Sequence, residues 1–415
     1  MCAANLIGAL RSYLLNEVNI PQHEQTQAKD AIQKIKNVFV RSHHSSPFNF
    51  RQIFHQGSSY EGLKVIAADE FDLLVPLNLS TNWRITGGGL DGYYLIEKTS
   101  HYTDSTLGNL IEDGRLNPDR VRRSMQSTVQ TVVNGIGDLG MRINLSYSGP
   151  AITLDVGYNG RSMSIDIVPS LNIGGRHFVA KSPRHLHTPE YDQLWRESFS
   201  DREKSIFNNI DRINECRRDT LKILKTVQKK AGLSQLGMLS SYHLKTCMLH
   251  LNSDRPDLSW HQESLADRFK DLVQTLMHFL ETRNMPNFFR GSVNLLDRYD
   301  ADSLNNILGW LRRATRDDEH IIRVLLNKSY ATRTSDTFDI FVKNLDGKSI
   351  VYQNMRRSTT VKQLKHEIAG RERVPVDQQR LTFESRQLED GNTLGYYSIK
   401  DQSTIYLLPR LRGGR

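Results

Sequence analysis

Glu70 and Asp72 flank a single phenylalanine and run straight into the apolar stretch Leu73, Leu74 and Val75. Such a stretch reads as a buried strand. Residues two apart on a strand point to one face, so the two carboxylates stand side by side and repel unless a cation lies between them. Hard divalent ions with oxygen ligands meet that need. Upstream, Gly57 and Ser58 open a small turn. The backbone N–H groups and the hydroxyl of such a turn can approach phosphates. Phosphates over a Gly-Ser turn, beside a carboxylate-held metal, describe a site for nucleotidyl transfer.

Two-metal phosphoryl chemistry calls for a third carboxylate, since one ion activates the attacking hydroxyl and the other stabilises the leaving pyrophosphate. Asp166 lies in the alternating segment Met163 to Val168, and Asp155 in the alternating segment Ile152 to Val156. A charge in an otherwise apolar strand is costly unless a metal or partner satisfies it. Asp166 is the leading candidate and Asp155 the alternative.

These residues need a scaffold of strands, and the pattern supplies one. The first 45 or so residues are polar and helical in spacing, with a break at Pro21. Strand-like segments dominate from about Asn49 to Val179, punctuated by Gly87-Gly88-Gly89 and Gly174-Gly175. From about Leu194 to Leu326 the spacing becomes helical. The expected class is α+β: a bilobal arrangement with an α/β catalytic lobe (1–190, including the N-terminal helix) and a helical lobe (191–328). A polar linker (329–336) then leads to a separate domain (337–415) of short strands and one helix.

The formal charge of +9 and the pI near 9.3 fit a nucleic-acid partner without demanding one. Three scattered cysteines, Cys2, Cys216 and Cys247, argue for a reducing compartment and against a disulfide frame or a Cys-rich zinc site. Neither a membrane-length apolar run nor a signal-peptide pattern is present, so the expected location is the cytoplasm.

Gly57 to Val75, together with Asp166, resembles cyclic GMP–AMP synthase (cGAS) and the cGAS-like receptors. The resemblance continues in Trp195-Arg196-Glu197-Ser198-Phe199-Ser200, in Cys216-Arg217-Arg218, in Leu221 to Lys225 and in Ser240 to Thr246, over roughly residues 1–325. It implies an enzyme that joins ATP and GTP, or either alone, into a cyclic dinucleotide when a nucleic acid docks, as in innate immune signalling. It also implies roles for single residues. Gly57 and Ser58 would touch the donor triphosphate, and Glu70, Asp72 and Asp166 would bind Mg2+ or Mn2+. Lys225 and Ser241 would contact phosphate, Tyr242 would stack on a base, Arg196 would meet a base edge, and Glu203 would lie near the donor nucleotide. The competing readings are a catalytically silent scaffold and a synthase of linear oligonucleotides.

Vertebrate cGAS carries a zinc-binding insertion of one His and three Cys between two of these motifs. Here Ser200 to Leu221 holds only Cys216 and no His, so zinc is not expected. That insertion reads DNA, and its absence favours double-stranded RNA over DNA as activator. A-form RNA is recognised by shape and backbone, which asks for a basic face. Arg218, Lys222, Lys225 and Lys229 recur at helical spacing. Apart from Lys225, they are candidates for that face, with Lys29, Lys36 and Arg41 extending it.

Residues 338–414 closely resemble ubiquitin, through Asp339 to Lys343, Leu345 to Lys348, Pro375 to Leu381, Gln387 to Gly391 and Leu411 to Gly414. The resemblance implies a β-grasp fold and partners among ubiquitin-pathway enzymes. Thr382 stands where ubiquitin has the isoleucine of its binding patch, while Leu345 and Leu408 keep other members. Arg386 and Asp401 replace the two lysines most used for chain building. Gly413 and Gly414 form an extended tail suited to a narrow protease or activating-enzyme channel. Arg415 would have to be removed before the Gly414 carboxylate could be activated.

Overall fold

The structure is a computed structural model. It describes residues 5–42, 46–79, 83–99, 107–136, 139–146, 152–181, 183, 189–210, 214–232, 235–326, 337–343, 349–372, 374–383, 386–397, 399 and 403–409. The expected linker, Leu345, Asp401 and the Gly413-Gly414-Arg415 tail lie outside the described residues.

Among the described residues, eleven strands form one sheet. At its centre Glu70–Pro76 runs parallel to Arg161–Ile173. The long strand is shared. Its first half also pairs antiparallel with Ile152–Tyr158, and its second half with Arg176–Val179. The sheet continues through Trp195–Ser198 to Tyr93–Lys98. It therefore passes the lobe boundary expected at residue 190. Alternation decides the faces. Ile152, Leu154, Val156 and Tyr158 are buried while Asp155 between them is exposed. Phe71, Leu73, Val75, Ile165 and Ile167 join the core behind the sheet, which leaves Asp72 and Asp166 on the opposite face.

Two helices seal the back. Gln22–Ser42 contributes Ala28, Ile32, Ile35 and Phe39, and Pro118–Asn134 contributes Val121, Met125, Val129 and Val132. These are the i, i+3 and i, i+4 spacings of a buried helical stripe. The second helix starts cleanly because Pro118 occupies its first turn and the Asn117 side chain accepts from the amides of Asp119 and Arg120.

The helical half is built from Arg217–Lys230, Ser241–Asp254, Leu265–Thr282, Ala301–Ala314 and Asp318–Leu326. Leu6, Leu10, Tyr13, Leu14 and Val18 pack into this core, not the sheet's. The N-terminal segment was expected with the catalytic lobe. The break at Pro21, entered through a wide turn in which Asn19 donates to the carbonyl of Leu14, lets its two parts serve different cores.

The C-terminal domain is a β-grasp. Five strands lie in the order Ser349–Arg356, Thr337–Lys343, Thr404–Pro409, Gln379–Phe383, Arg386–Gln387, with the middle pair parallel. The helix Val361–Glu372 sets Val361, Leu364 and Ile368 against Ile340, Leu381 and Ile405. No helix among the described residues is long and apolar enough to cross a membrane.

Candidate active site

The parallel register aligns Glu70 with Ser164 and Asp72 with Asp166. Asp72 and Asp166 are direct neighbours, and Thr153 on the next strand donates its hydroxyl to Asp166 Oδ1 at 2.6 Å. Asp155 shares that face but pairs with Ser164, one strand further from Asp72, so the register puts Asp166, not Asp155, beside Asp72. Burial, then the charges of Glu70 and Asp166, raise the Asp72 pKa to about 6. Asp166 is raised as well, by burial and by Glu70, against the lowering effect of the Thr153 hydrogen bond.

Gly57 closes over Asp72. Its φ of +81° suits glycine, and a Cβ there would sit 2.2 Å from Asp72 Oδ2. The turn is tied by Tyr60 N–H to Gly57 O and by Leu63 N–H to Ser58 O. Ser58 is half-buried within it. Glu70 is held from the other side: Ser59 donates to its carbonyl, and Lys64 Nζ lies 3.3 Å from its Oε2 and 2.9 Å from Asp69. Lys64 thus pairs with the Glu70 carboxylate, and among the described residues no three acidic, His or Cys side chains converge as a finished metal cage. The donor set is nonetheless all carboxylate oxygen, in mutual repulsion, under a glycine that leaves room. Those features fit a hard divalent cation.

The remaining nucleotide candidates gather where the helical half meets the sheet. Tyr242 follows Ser241 at the start of its helix, whose first turn is capped by a reciprocal contact between Ser240 and His243. Its hydroxyl accepts from Asn287 Nδ2 at 2.9 Å, and burial and then Glu203 raise its pKa. Arg196 lies close enough to act electrostatically on Tyr242. Glu203 is buried and paired with Lys245. Lys225 is buried too, donating to the carbonyl of Leu63 at 2.6 Å, and burial brings its pKa down to about 7 against the pull of Glu61.

The expected basic face divides. Lys29, Arg41 and Lys229 are exposed. Lys36 is packed against His55, 2.8 Å from its Nε2. Arg218 donates to the carbonyls of Glu61 and Phe207, and Lys222 to the side chain of Asn19. The Arg218–Lys222–Lys225 stripe thus faces the rest of the protein rather than open solvent.

Several contributors escaped the sequence reading: Lys64, Thr153, Asn287, and the pair Glu61 and Lys245. Lys181 is another, within electrostatic reach of Asp166. Thr153 had a readable signal, a hydroxyl in phase with Asp166 on a neighbouring alternating strand. The others owe their place to packing between distant segments.

The family described as the Mab-21 protein nucleotidyltransferase domain matches residues 59–209, and the Mab-21 protein HhH/H2TH-like domain matches residues 216–312. The ubiquitin family matches residues 340–412. Cyclic GMP-AMP synthase-like receptor 3 of Stylophora pistillata is 30% identical over 298 residues, covering 68% of this chain and 86% of the relative. Mitochondrial dynamics protein MID51 of Danio rerio is 30% identical over 338 residues, covering 76% and 70%. The cyclic GMP-AMP synthase-like receptor of Tribolium castaneum is 23% identical over 390 residues, covering 80% and 96%. The chain therefore belongs to the Mab-21 nucleotidyltransferase family, among the cGAS-like receptors, and bears a ubiquitin-family domain at its C-terminal end.

Proposed function

We propose that this protein is a nucleic-acid-activated synthase that joins two nucleoside triphosphates, ATP and GTP or either alone, into a cyclic dinucleotide in the cytoplasm. The observation that carries the reading is the register of Asp72 against Asp166 beneath Gly57, with Glu70 on the same strand. Mg2+ or Mn2+ held by Glu70, Asp72 and Asp166 would supply charge neutralisation at the reacting phosphate and activate the attacking hydroxyl. The chain's own residues do the rest. The Gly57-Ser58 turn presents its backbone and hydroxyl to the triphosphate. Tyr242 offers a stacking face to a base and Arg196 a planar fork to a base edge, while Lys225, expected at phosphate, is buried and braces the turn through the Leu63 carbonyl. The absence of a Cys-rich insertion favours double-stranded RNA over DNA as activator, and of the candidate basic residues Lys29, Arg41 and Lys229 are exposed to meet it.

The direct test incubates the full chain with Mg2+, labelled ATP and GTP, and double-stranded RNA or DNA. A cyclic product that vanishes in Asp72→Asn supports the reading. Linear products alone would move the assignment to an oligonucleotide synthase. One observation favours a catalytically silent scaffold instead: Glu70 is engaged by Lys64, in a chain 30% identical to a relative named for mitochondrial dynamics. Nucleotide binding without any product, under every nucleic acid tried, is the result that would favour it. The ubiquitin-family domain would then, as in the first reading, serve to engage ubiquitin-pathway enzymes or to anchor the chain to a partner.

A further inference from the structure

The segment Gly57 to Leu63 belongs to the sheet half, yet three cations of the helical half hold it. Lys225 donates to the carbonyl of Leu63 at 2.6 Å, Arg218 to the carbonyl of Glu61 at 3.1 Å, and Lys245 to the Glu61 carboxylate at 2.8 Å. The last contact has a second arm. The same Lys245 ammonium pairs with Glu203, in the helix Ser200–Ile210. Glu61 and Glu203 are 3% and 4% exposed. Burial works against the charge on Lys245, but Glu203 and Glu61 outweigh it and keep its pKa above that of an ordinary lysine.

A carboxylate this buried cannot stay ionised without its counter-charge. Moving the Gly57–Leu63 turn away from the helical half would strand Glu61, and shifting the Ser200–Ile210 helix would strand Glu203. Lys245 also sits three residues after Tyr242, on the same helical face, and Tyr242 interacts with Glu203. One ammonium thus fixes the phosphate-facing turn, the Glu203 helix and the tyrosine helix relative to one another.

We propose that Lys245 is a positioning residue that couples the Gly57-Ser58 turn to the Tyr242–Glu203 side of the site. A nucleotide would thereby meet its phosphate contacts and its base contacts in one fixed geometry. The idea rests on the reading of those residues as nucleotide contacts. An ion pair that served folding alone would support stability without treating phosphate and base differently.

The test measures affinities of the full chain for ATP and for adenosine in Mg2+, together with hydrogen exchange at the Tyr60 and Leu63 amides. Glu61→Met removes only the turn's side-chain tether, leaves the Arg218 and Lys225 bonds to its carbonyls in place, keeps side-chain size, and leaves Lys245 neutralised by Glu203, so it is the variant that folds even where Lys245→Met does not. It should weaken ATP by about tenfold or more, leave adenosine within about threefold, and deprotect both amides. Lys245→Met, where it folds, should weaken both ligands, and Lys245→Arg should restore them. Unchanged ATP affinity with unchanged amide protection in Glu61→Met overturns the proposal, as does an equal loss for ATP and adenosine. If the wild-type chain binds neither ligand, the nucleotide reading of the site fails on its own, while amide protection still decides whether Glu61 holds the turn.

Discussion

Asp72 and Asp166 are facing partners on two parallel strands, so their carboxylates leave the sheet side by side. The fold holds them there at a cost, because burial and mutual charge raise the pKa of both. Removing one charge should therefore stabilise the protein while destroying its chemistry. Asp72→Asn is expected to gain about 1–3 kcal/mol at pH 7. Asp166→Asn should gain less, since Thr153 already satisfies that carboxylate. Product formation in either should fall by more than about 100-fold, a loss that even outer-shell partners of a metal can cause. Urea unfolding alongside a product assay checks both halves, and a destabilised Asp72→Asn would contradict the repulsion argument.

Divalent metal should act on the same pair. The raised pKa of Asp72 means that it is largely protonated at pH 5 and ionised at pH 7.5. A cation that binds the ionised form must compete with that proton at the lower pH. Mg2+ or Mn2+ should therefore raise the unfolding midpoint more at pH 7.5 than at pH 5. Saturation to 100 times the dissociation constant contributes about 2.7 kcal/mol. Scanning fluorimetry with and without metal at the two pH values reads this difference. Lys64→Met should enlarge it, by releasing the Glu70 carboxylate from Lys64.

Acid should weaken the fold through His55. Burial, then the charges of Lys36 and Lys204, push its pKa from 6.5 down to about 4. Between those values the unfolded chain binds the proton and the folded chain does not. Stability from this group is thus complete above pH 6.5 and lost as pH falls toward 4, by roughly 3 kcal/mol over the whole window. Asp72 and Asp166 have raised pKa values and oppose this trend, so the comparison must be between variants. His55→Gln keeps an acceptor for Lys36 and should flatten the decline between pH 6.5 and 5. An unchanged slope in that variant would rule out His55 as its source.

Met163–Val168 was legible because side chains alternate with period two, which puts Asp166 opposite Ile165 and Ile167, and Glu70–Pro76 because an unbroken apolar run follows two acidic residues that share a face. The choice between Asp155 and Asp166 was not decidable that way, since both alternate correctly and only the pairing register separates them. The Arg218–Lys222–Lys225 stripe shows the converse. Its spacing defines one face of a helix, but spacing is the same whether that face meets water, RNA or a neighbouring turn. Here it meets Glu61, Asn19 and Leu63. Lys245 and Glu61 are 184 positions apart, and no local pattern announces a buried pair of that kind. The ubiquitin-like domain lies at the other extreme, where nearly every turn and strand residue of a known fold stands in order.

Tyr242 and Asn287 give the last test. Asn287 accepts from the amides of Phe289 and Arg290 with its Oδ1 and donates to the Tyr242 hydroxyl with its Nδ2. It therefore shapes a turn and aims the tyrosine at once. Three residues further along, Arg290 pairs with Asp91, in the turn before the strand Tyr93–Lys98, and with Glu197 on the sheet, so the turn is anchored across both halves. Base stacking on an aromatic ring is worth about 1–3 kcal/mol, so Tyr242→Ala should raise the nucleotide KM by about tenfold or more. Tyr242→Phe keeps the ring and should stay within about threefold. Asn287→Ala should fall between them, because the ring survives but loses its aim, and should also lower stability by roughly 1–2 kcal/mol for the lost hydrogen bonds. Steady-state kinetics on the three variants separate stacking from orientation, and a Tyr242→Phe defect as large as that of Tyr242→Ala would mean that the hydroxyl, not the ring face, meets the substrate.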